Sequence, residues 1–121
     1  ILRTSGIAPE RCIFHCFTGD AATVDTVLEF GAWVSFTGIV TFGNAPEIQE
    51  AAARVPLERM LVETDAPYLS PEPVRSMRPN EPCNVVHTAR FLAELRGIEA
   101  DDFIGCMDSN AVRCFGLEDG G

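Results

Sequence analysis

The sequence predicts an α/β fold in which helices cover a parallel sheet. Three short apolar runs, at residues 11–17, 32–36 and 60–64, are rich in β-branched and aromatic residues and are typical of buried strands. Segments with apolar residues at helical spacing separate and follow these runs, so strands alternate with helices. Because a helical crossover joins parallel strands, this alternation favours one parallel sheet.

The first unit joins the strand at 11–17 to a helix. Asp20 is suited to cap that helix, because a short carboxylate accepts hydrogen bonds from the free N–H groups of a first helical turn. Apolar residues recur at helical spacing through residues 21–28, and Gly31 follows where a left-handed residue would end the helix. We therefore predict a helix between Asp20 and Gly31.

The second and third units follow the same plan. After the strand at 32–36, Asn44 is predicted to cap a helix from Pro46 to Arg54, with the proline in the first turn, where its missing N–H costs nothing. The strand at 60–64 is almost continuously hydrophobic, as expected of a strand that is covered on both faces. These units extend the predicted sheet to three strands.

A proline-rich segment and two helices complete the chain. Five prolines lie within residues 67–82, so we predict a long loop there, and a long loop directly after a strand usually serves function. A helix is predicted from Asn84, as its cap, to Arg96, and another over residues 101–115. A glycine follows each of the two helices and is expected to end it.

Three units at this spacing fit a slice of either a doubly wound sheet or a (β/α)8 barrel. No Gly-x-Gly-x-x-Gly or Walker-type loop follows a strand, which weakens a nucleotide-binding interpretation. A complete barrel takes about 250 residues, so these 121 residues would form roughly its second half, strands six to eight with a closing helix. The first residue is Ile1 rather than Met, which favours a piece of a longer chain.

Composition narrows the class of protein. The net charge is −9, from 18 acidic and 9 basic residues, and the basic residues are all Arg. An acidic surface disfavours broad nucleic-acid binding, yet it permits a nuclease whose metal ions neutralise phosphate locally. The five cysteines include no Cys-x-x-Cys pair, so we expect reduced thiols and a cytoplasmic protein. No apolar run is long and unbroken enough to predict a membrane span.

Side chains that bind metals stand at two predicted strand ends, His15 and Asp65. The carboxyl ends of barrel strands are where such folds build active sites. Glu63 shares a strand face with Asp65, about 6.5 Å away between Cα atoms, and the pair also fits a glycoside hydrolase. We disfavour that alternative because such pairs usually come from different strands. Since a catalytic metal centre takes three or more protein ligands, the sequence predicts half of a site.

Four motifs, in this order and spacing, resemble the TatD-type deoxyribonucleases. They are His-Cys-Phe-Thr-Gly at 15–19, Ser-Phe-Thr-Gly-x-x-Thr-Phe at 35–42, Glu-Thr-Asp-Ala-Pro-Tyr-Leu at 63–69 and Asn-Glu-Pro at 80–82. That family consists of metal-dependent hydrolases on an amidohydrolase-like TIM barrel. The resemblance implies a partial (β/α)8 TIM barrel, with the last three βα units and a closing C-terminal helix. Residues 1–121 would be the C-terminal half of one hydrolase domain whose N-terminal half is absent.

The resemblance also implies roles for individual residues. His15 and Asp65 would be ligands of a divalent metal centre, with Mg²⁺, Mn²⁺ or Zn²⁺ as cofactor and two ions in the intact enzyme. Asp65 would also be catalytic, as the base that accepts a proton from water. Glu63 is expected to support these ligands rather than to coordinate metal. The family's other ligands, a His-x-His pair, a glutamate and a further histidine, come from strands outside this chain, and His87 is predicted to be a surface or packing residue.

The substrate implied by the resemblance is DNA, with single-stranded ends preferred. Residues 74–79 depart from the Tyr-Arg-Gly pattern of the family, but Arg75 remains a candidate for phosphate binding because a guanidinium suits bidentate contact with phosphate. Arg78 is a weaker candidate of the same kind. Asn80, in the Asn-Glu-Pro motif, is the second candidate substrate-binding residue.

We therefore expect a metal-dependent deoxyribonuclease in which activated water attacks the phosphodiester bond, and an inactive chain when these residues stand alone. In one alternative the fold is the same but the enzyme hydrolyses an ester or amide bond, as in aminoacyl-tRNA deacylation. A second alternative, from a different class, is a non-catalytic module that self-associates, because an open barrel edge favours association.

Overall fold

The computed structural model describes residues 1–117, which form a three-stranded parallel sheet and four α-helices. The strands, in sheet order, are β1 (Ile13–Phe14), β2 (Trp33–Phe36) and β3 (Met60–Val62). The helices are α1 (Ala21–Phe30), α2 (Pro46–Arg54), α3 (Val85–Arg96) and α4 (Ala100–Phe115). The predicted α/β fold with a parallel sheet is confirmed.

The strand register places the main core on one face of the sheet. Phe14 lies opposite Val34, which in turn lies opposite Met60, so the three side chains project from the same face. They pack with fully buried residues of the covering helices, among them Val24 of α1 and Leu92 of α3. This apolar layer holds the strands in register, and their carboxyl ends therefore meet at one edge.

The strands are shorter than predicted. Cys16 has a φ of 49°, in the left-handed region, which ends β1 after two residues. Pairing resumes at Phe17, whose N–H donates to the Ser35 carbonyl at 2.9 Å. At the other side of the sheet, the Glu63 N–H donates to the Phe36 carbonyl at 3.0 Å, just beyond β3. His15 and Asp65 consequently lie in the turns that follow β1 and β3, not within the strands.

The sequence correctly predicted the residues at both ends of α1. The Asp20 carboxylate accepts a hydrogen bond from the Thr23 N–H at 2.8 Å, and Gly31 ends the helix with a φ of 97°. Gly97 and Gly116 end α3 and α4 in the same left-handed conformation. These predictions are confirmed because each depends only on residues within one turn.

Two predicted caps are wrong. Asn44 does not cap α2, which begins after Ala45 without a side-chain cap. The Asn84 side chain does not cap α3 either: Asn84 ends a preceding 3₁₀ helix, Pro82–Asn84, has helical backbone angles (φ −70°, ψ −7°) and forms no capping hydrogen bond. The final helix begins at Ala100, one residue earlier than predicted, after a cap from Glu99.

The proline-rich loop after β3 folds back on the segment that follows β2. That segment contains a 3₁₀ helix, Gly38–Thr41, which the sequence did not predict. The Thr41 hydroxyl donates to the Gly38 carbonyl at 2.6 Å and accepts the Glu72 N–H at 2.8 Å. Farther along, the Ser70 hydroxyl donates to the Met77 carbonyl at 2.6 Å. Hydrogen bonds therefore give the loop a defined course over the end of β2.

None of the helices in residues 1–117 has both the length and the hydrophobicity required to cross a membrane.

Gly38 sets how closely the loop approaches β2. A Cβ at this position would lie 2.7 Å from the Leu69 carbonyl oxygen and 3.0 Å from the Pro71 Cα. Because both neighbours are backbone atoms, we predict that Gly38→Ala lowers the free energy of unfolding by about 1–3 kcal/mol. Gly43→Ala is the matched control, since nothing lies within 4 Å of the place that its new methyl group would take. Urea denaturation of the complete protein tests this, and equal stability of the two variants would contradict it.

Candidate active site

His15 and Glu63 meet at the carboxyl edge of the sheet. His15 follows β1 and Glu63 follows β3, and Nδ1 of the imidazole lies 3.7 Å from Oε1 of the carboxylate. The His15 side chain is 78% exposed, whereas that of Glu63 is 25% exposed. A carboxylate beside one ring nitrogen leaves the other nitrogen, Nε2, available for a ligand, as in many metal sites.

Glu63 also holds the turn that carries His15. Its Oε2 accepts the Cys16 N–H at 3.2 Å, so a single carboxylate contacts the imidazole and the backbone of the next residue. Cys16 is the residue in the left-handed conformation, and this hydrogen bond helps to retain that conformation. The turn and the imidazole are therefore positioned by the same side chain.

Asp65 lies in the turn after Glu63 and its side chain is exposed. The turn is closed by the Tyr68 N–H, which donates to the Asp65 carbonyl at 2.7 Å. Burial raises the pKa of the Cys16 thiol, a hydrogen bond with the Thr37 hydroxyl opposes this shift, and the charges of Asp65 and Glu63 add to it. Asp65 is thus within electrostatic reach of Cys16, and the thiol stays protonated at neutral pH.

The donors fit part of a metal centre. Imidazole nitrogen and carboxylate oxygen are suitable ligands for Zn²⁺ and Mn²⁺, and carboxylate oxygen also suits Mg²⁺. However, residues 1–117 contain no group of three or more His, Cys, Asp or Glu side chains arranged to hold a metal ion. His87 lies in α3, half-buried, and joins no such group in this part of the chain. The number of donors therefore falls short of a closed site.

Asn80 faces the interior of the loop. Its side chain is buried, with 4% exposure, and its amide donates to the Tyr68 carbonyl at 2.7 Å. The amide oxygen accepts the Glu81 N–H at 2.9 Å and the Asn84 amide at 3.0 Å. These hydrogen bonds engage the amide at both ends, so Asn80 shapes the loop. A role for Asn80 in substrate binding stays a prediction.

Arg75 is exposed on the same loop. Its guanidinium carbon lies 3.8 Å from the centroid of the Phe42 ring, and Nη1 is 4.0 Å from Oε1 of Glu72. Arg75, Phe42 and Tyr68 line a groove of about 380 Å³. Reasoning from the sequence did not single out Phe42 or Tyr68, although both belong to the motifs at 35–42 and 63–69.

The chain matches the family model described as TatD related DNase over residues 1–116. The chain belongs to this family. The resemblance carried by the four motifs is therefore confirmed. A match over nearly every residue also means that the loop and both final helices belong to the TatD-related domain.

The chain is similar to curated members of the TatD family. It is 44% identical over 117 residues to a metal-dependent hydrolase named TatD from Mycobacterium tuberculosis (strain ATCC 25618 / H37Rv), covering 97% of this chain and 44% of that protein. It is 38% identical over 109 residues to the 3'-5' ssDNA/RNA exonuclease TatD of Pectobacterium parmentieri (strain WPP163), covering 87% and 42% respectively. The chain thus spans less than half the length of these TatD relatives.

A solved structure supports the fold. The TatD homolog YJJV from Escherichia coli K12 superposes with a TM-score of 0.75 and 26% sequence identity, over 83% of this chain and 38% of that one. The predicted partial (β/α)8 barrel is confirmed, since three parallel strands and their helices match part of a TatD-fold protein.

The contacts of Glu63 lead to a test of its influence on metal binding. In the complete protein, we predict that Glu63→Ala weakens divalent metal affinity about 10- to 100-fold, because it frees the imidazole and the turn together. Glu63→Gln keeps an acceptor for the Cys16 N–H and should therefore lose less metal affinity than Glu63→Ala. Glu29→Ala removes an exposed carboxylate from α1 and is the control. Competitive titration against a chelator gives the affinities, and equal values for Glu63→Ala and Glu29→Ala would refute the prediction.

Proposed function

We propose that the complete protein to which this chain belongs is a divalent-metal-dependent hydrolase that cleaves phosphodiester bonds of DNA. The observation that carries the proposal is the contact between His15 and Glu63 at the carboxyl edge of the sheet, with Asp65 in the turn that follows Glu63. Membership of the TatD-related DNase family supports hydrolysis, and the Pectobacterium relative's name supports a nucleic-acid substrate.

His15 and Asp65 would hold the metal ions, Mg²⁺, Mn²⁺ or Zn²⁺, together with ligands from the remainder of the barrel. Such ions activate water and offset the charge of the attacked phosphate. Glu63, 3.7 Å from Nδ1, keeps the imidazole of His15 oriented with Nε2 outward. The exposed carboxylate of Asp65 is available to accept the proton that the attacking water loses.

The charge distribution favours local rather than general recognition of DNA. The chain carries −9 overall, so a long phosphate backbone would be repelled from most of its surface. Arg75 and Arg78 line the groove on the loop after Asp65, and no acidic side chain of residues 1–117 lines it, although Glu72 and Glu81 balance their charge on the loop as a whole. We therefore infer that the substrate is engaged near a strand end by a few nucleotides, in keeping with single-stranded DNA ends.

Asp65→Asn tests the catalytic role. In the complete protein we predict that this change lowers kcat on single-stranded DNA by about 100-fold or more, because an amide cannot accept the proton. The fold should persist, because Asp65 is exposed and the bond from Tyr68 uses its backbone carbonyl. Asp102→Asn, at an exposed position of α4, is the control.

The assay of Asp65→Asn includes an aminoacyl ester and an RNA strand beside the DNA strand, each with and without EDTA. Undiminished DNA cleavage by Asp65→Asn would refute the assigned role. Hydrolysis of the ester alone by the unmodified protein would refute the proposed substrate and favour the deacylase alternative.

The isolated 121-residue chain is predicted to bind divalent metal weakly and to show negligible nuclease activity. Two candidate ligands are fewer than a catalytic centre requires, and no larger donor group occurs in the described part of the chain. Because β1 and β3 both form edges of the sheet, the chain should be assayed at several concentrations to detect self-association. Micromolar metal affinity together with EDTA-sensitive DNA cleavage by this chain would contradict the prediction.

A further inference from the structure

A groove opens on the loop that follows Asp65. It has a volume of about 380 Å³, within the range of sites for small ligands, and its chemistry is mixed. Two aromatic residues, Phe42 and Tyr68, line it together with Arg75, Arg78 and Met77. His15, Glu63 and Asp65 do not line this groove.

Tyr68 offers an aromatic surface that is already in place. The residue is 69% exposed, so most of its ring is available for contact. Its backbone is held on both sides, since its N–H donates to the Asp65 carbonyl at 2.7 Å and its own carbonyl accepts the Asn80 amide at 2.7 Å. An exposed ring on a fixed backbone loses little conformational entropy when a flat ligand stacks on it.

The groove also concentrates positive charge. Arg75 lies flat enough against Phe42 to bring its guanidinium carbon 3.8 Å from the ring centroid, and Glu72 balances part of its charge from 4.0 Å. Arg78 is exposed, and the ion pairs found within residues 1–117 do not include it. A guanidinium of this kind is well suited to a phosphate.

We propose that this groove seats one unpaired nucleotide of a single-stranded nucleic acid, with its base against Tyr68 and its phosphate against Arg75 and Arg78. The proposal rests on the proposed function and deepens it, because it assigns the preference for single strands to named residues. A base within a duplex is stacked on both faces and cannot offer a face to Tyr68. The groove thus selects for a strand end that is already unpaired.

The test uses the complete protein and two single-stranded DNA oligonucleotides, one normal and one whose three residues at the cleaved end are abasic. Tyr68→Ala should raise KM on the normal strand about 10-fold, in line with the loss of one base–aromatic stack, and leave KM on the abasic strand unchanged. Tyr68→Phe keeps the ring and should behave like the unmodified protein. The exposed position of Tyr68 predicts an unchanged melting temperature for both variants.

A second pair of variants separates phosphate contact from general charge. Arg78→Ala should raise KM on the normal and abasic strands by the same factor, because both strands keep their phosphates. Arg90→Ala removes the same charge from an exposed position on α3, outside the groove, and should change neither value. Equal increases in KM for Arg78→Ala and Arg90→Ala would overturn the proposed contact between Arg78 and a phosphate.

The outcomes distinguish this proposal from the proposed function. If Tyr68→Ala raises KM equally on the normal and the abasic strand, the base-stacking proposal is overturned while nuclease function stands. The same conclusion follows if Tyr68→Ala raises KM on a blunt duplex as much as on a single strand. If the unmodified protein cleaves neither strand, the proposed function fails. Fluorescence anisotropy in EDTA then measures binding of the two strands without cleavage. Tighter binding of the normal strand than of the abasic strand, lost in Tyr68→Ala, supports the proposed nucleotide site. Equal binding of the two strands by the unmodified protein overturns it.

Discussion

The carboxylate of Glu63 links the two outer strands of the sheet at their carboxyl ends. β2 lies between β1 and β3, and adjacent strands are about 4.8 Å apart, so the contacts of Glu63 with His15 and Cys16 cross the width of β2. These contacts join the turns after β1 and β3, and the proposed chemistry depends on that proximity.

This arrangement carries energetic costs that the rest of the fold must offset. A carboxylate that is three-quarters shielded from water loses hydration, and the Cys16 N–H replaces only part of it. The left-handed backbone of Cys16 adds a further cost. The apolar layer on the opposite face, built from residues such as Val34, Met60 and Leu92, supplies the stabilisation that makes these costs tolerable. Stability and chemistry are therefore divided between the two faces of one small sheet.

The sequence was sufficient for features that depend on near neighbours or on periodicity. Alternating strands and helices, the Asp20 cap and the glycine at the end of each long helix were all predictable, because each follows from residues within a few positions. Asn84 failed as a cap because it ends a 3₁₀ helix, Pro82–Asn84, and so has helical rather than extended backbone angles. The orientation of Asn80 and the grouping of Phe42 with Tyr68 could not be predicted from the sequence either, since both require the proline-rich loop to pack on the end of β2.

Two hydrogen bonds bound the outer part of that loop, which is also held from within by the bond from Ser70 to the Met77 carbonyl. The Thr41 hydroxyl holds the N–H of Glu72, and the Pro67 carbonyl holds the N–H of Asn80 at 2.9 Å. Residues 73–79 form an arch between these anchors and include Arg75 and Arg78. In residues 1–117 the side chains of the arch form no hydrogen bond or ion pair with His15, Glu63 or Asp65, so we expect substitutions within it to leave Asp65 in place. Sequence variation there would let related proteins diverge in substrate recognition while the candidate active-site residues stay unchanged.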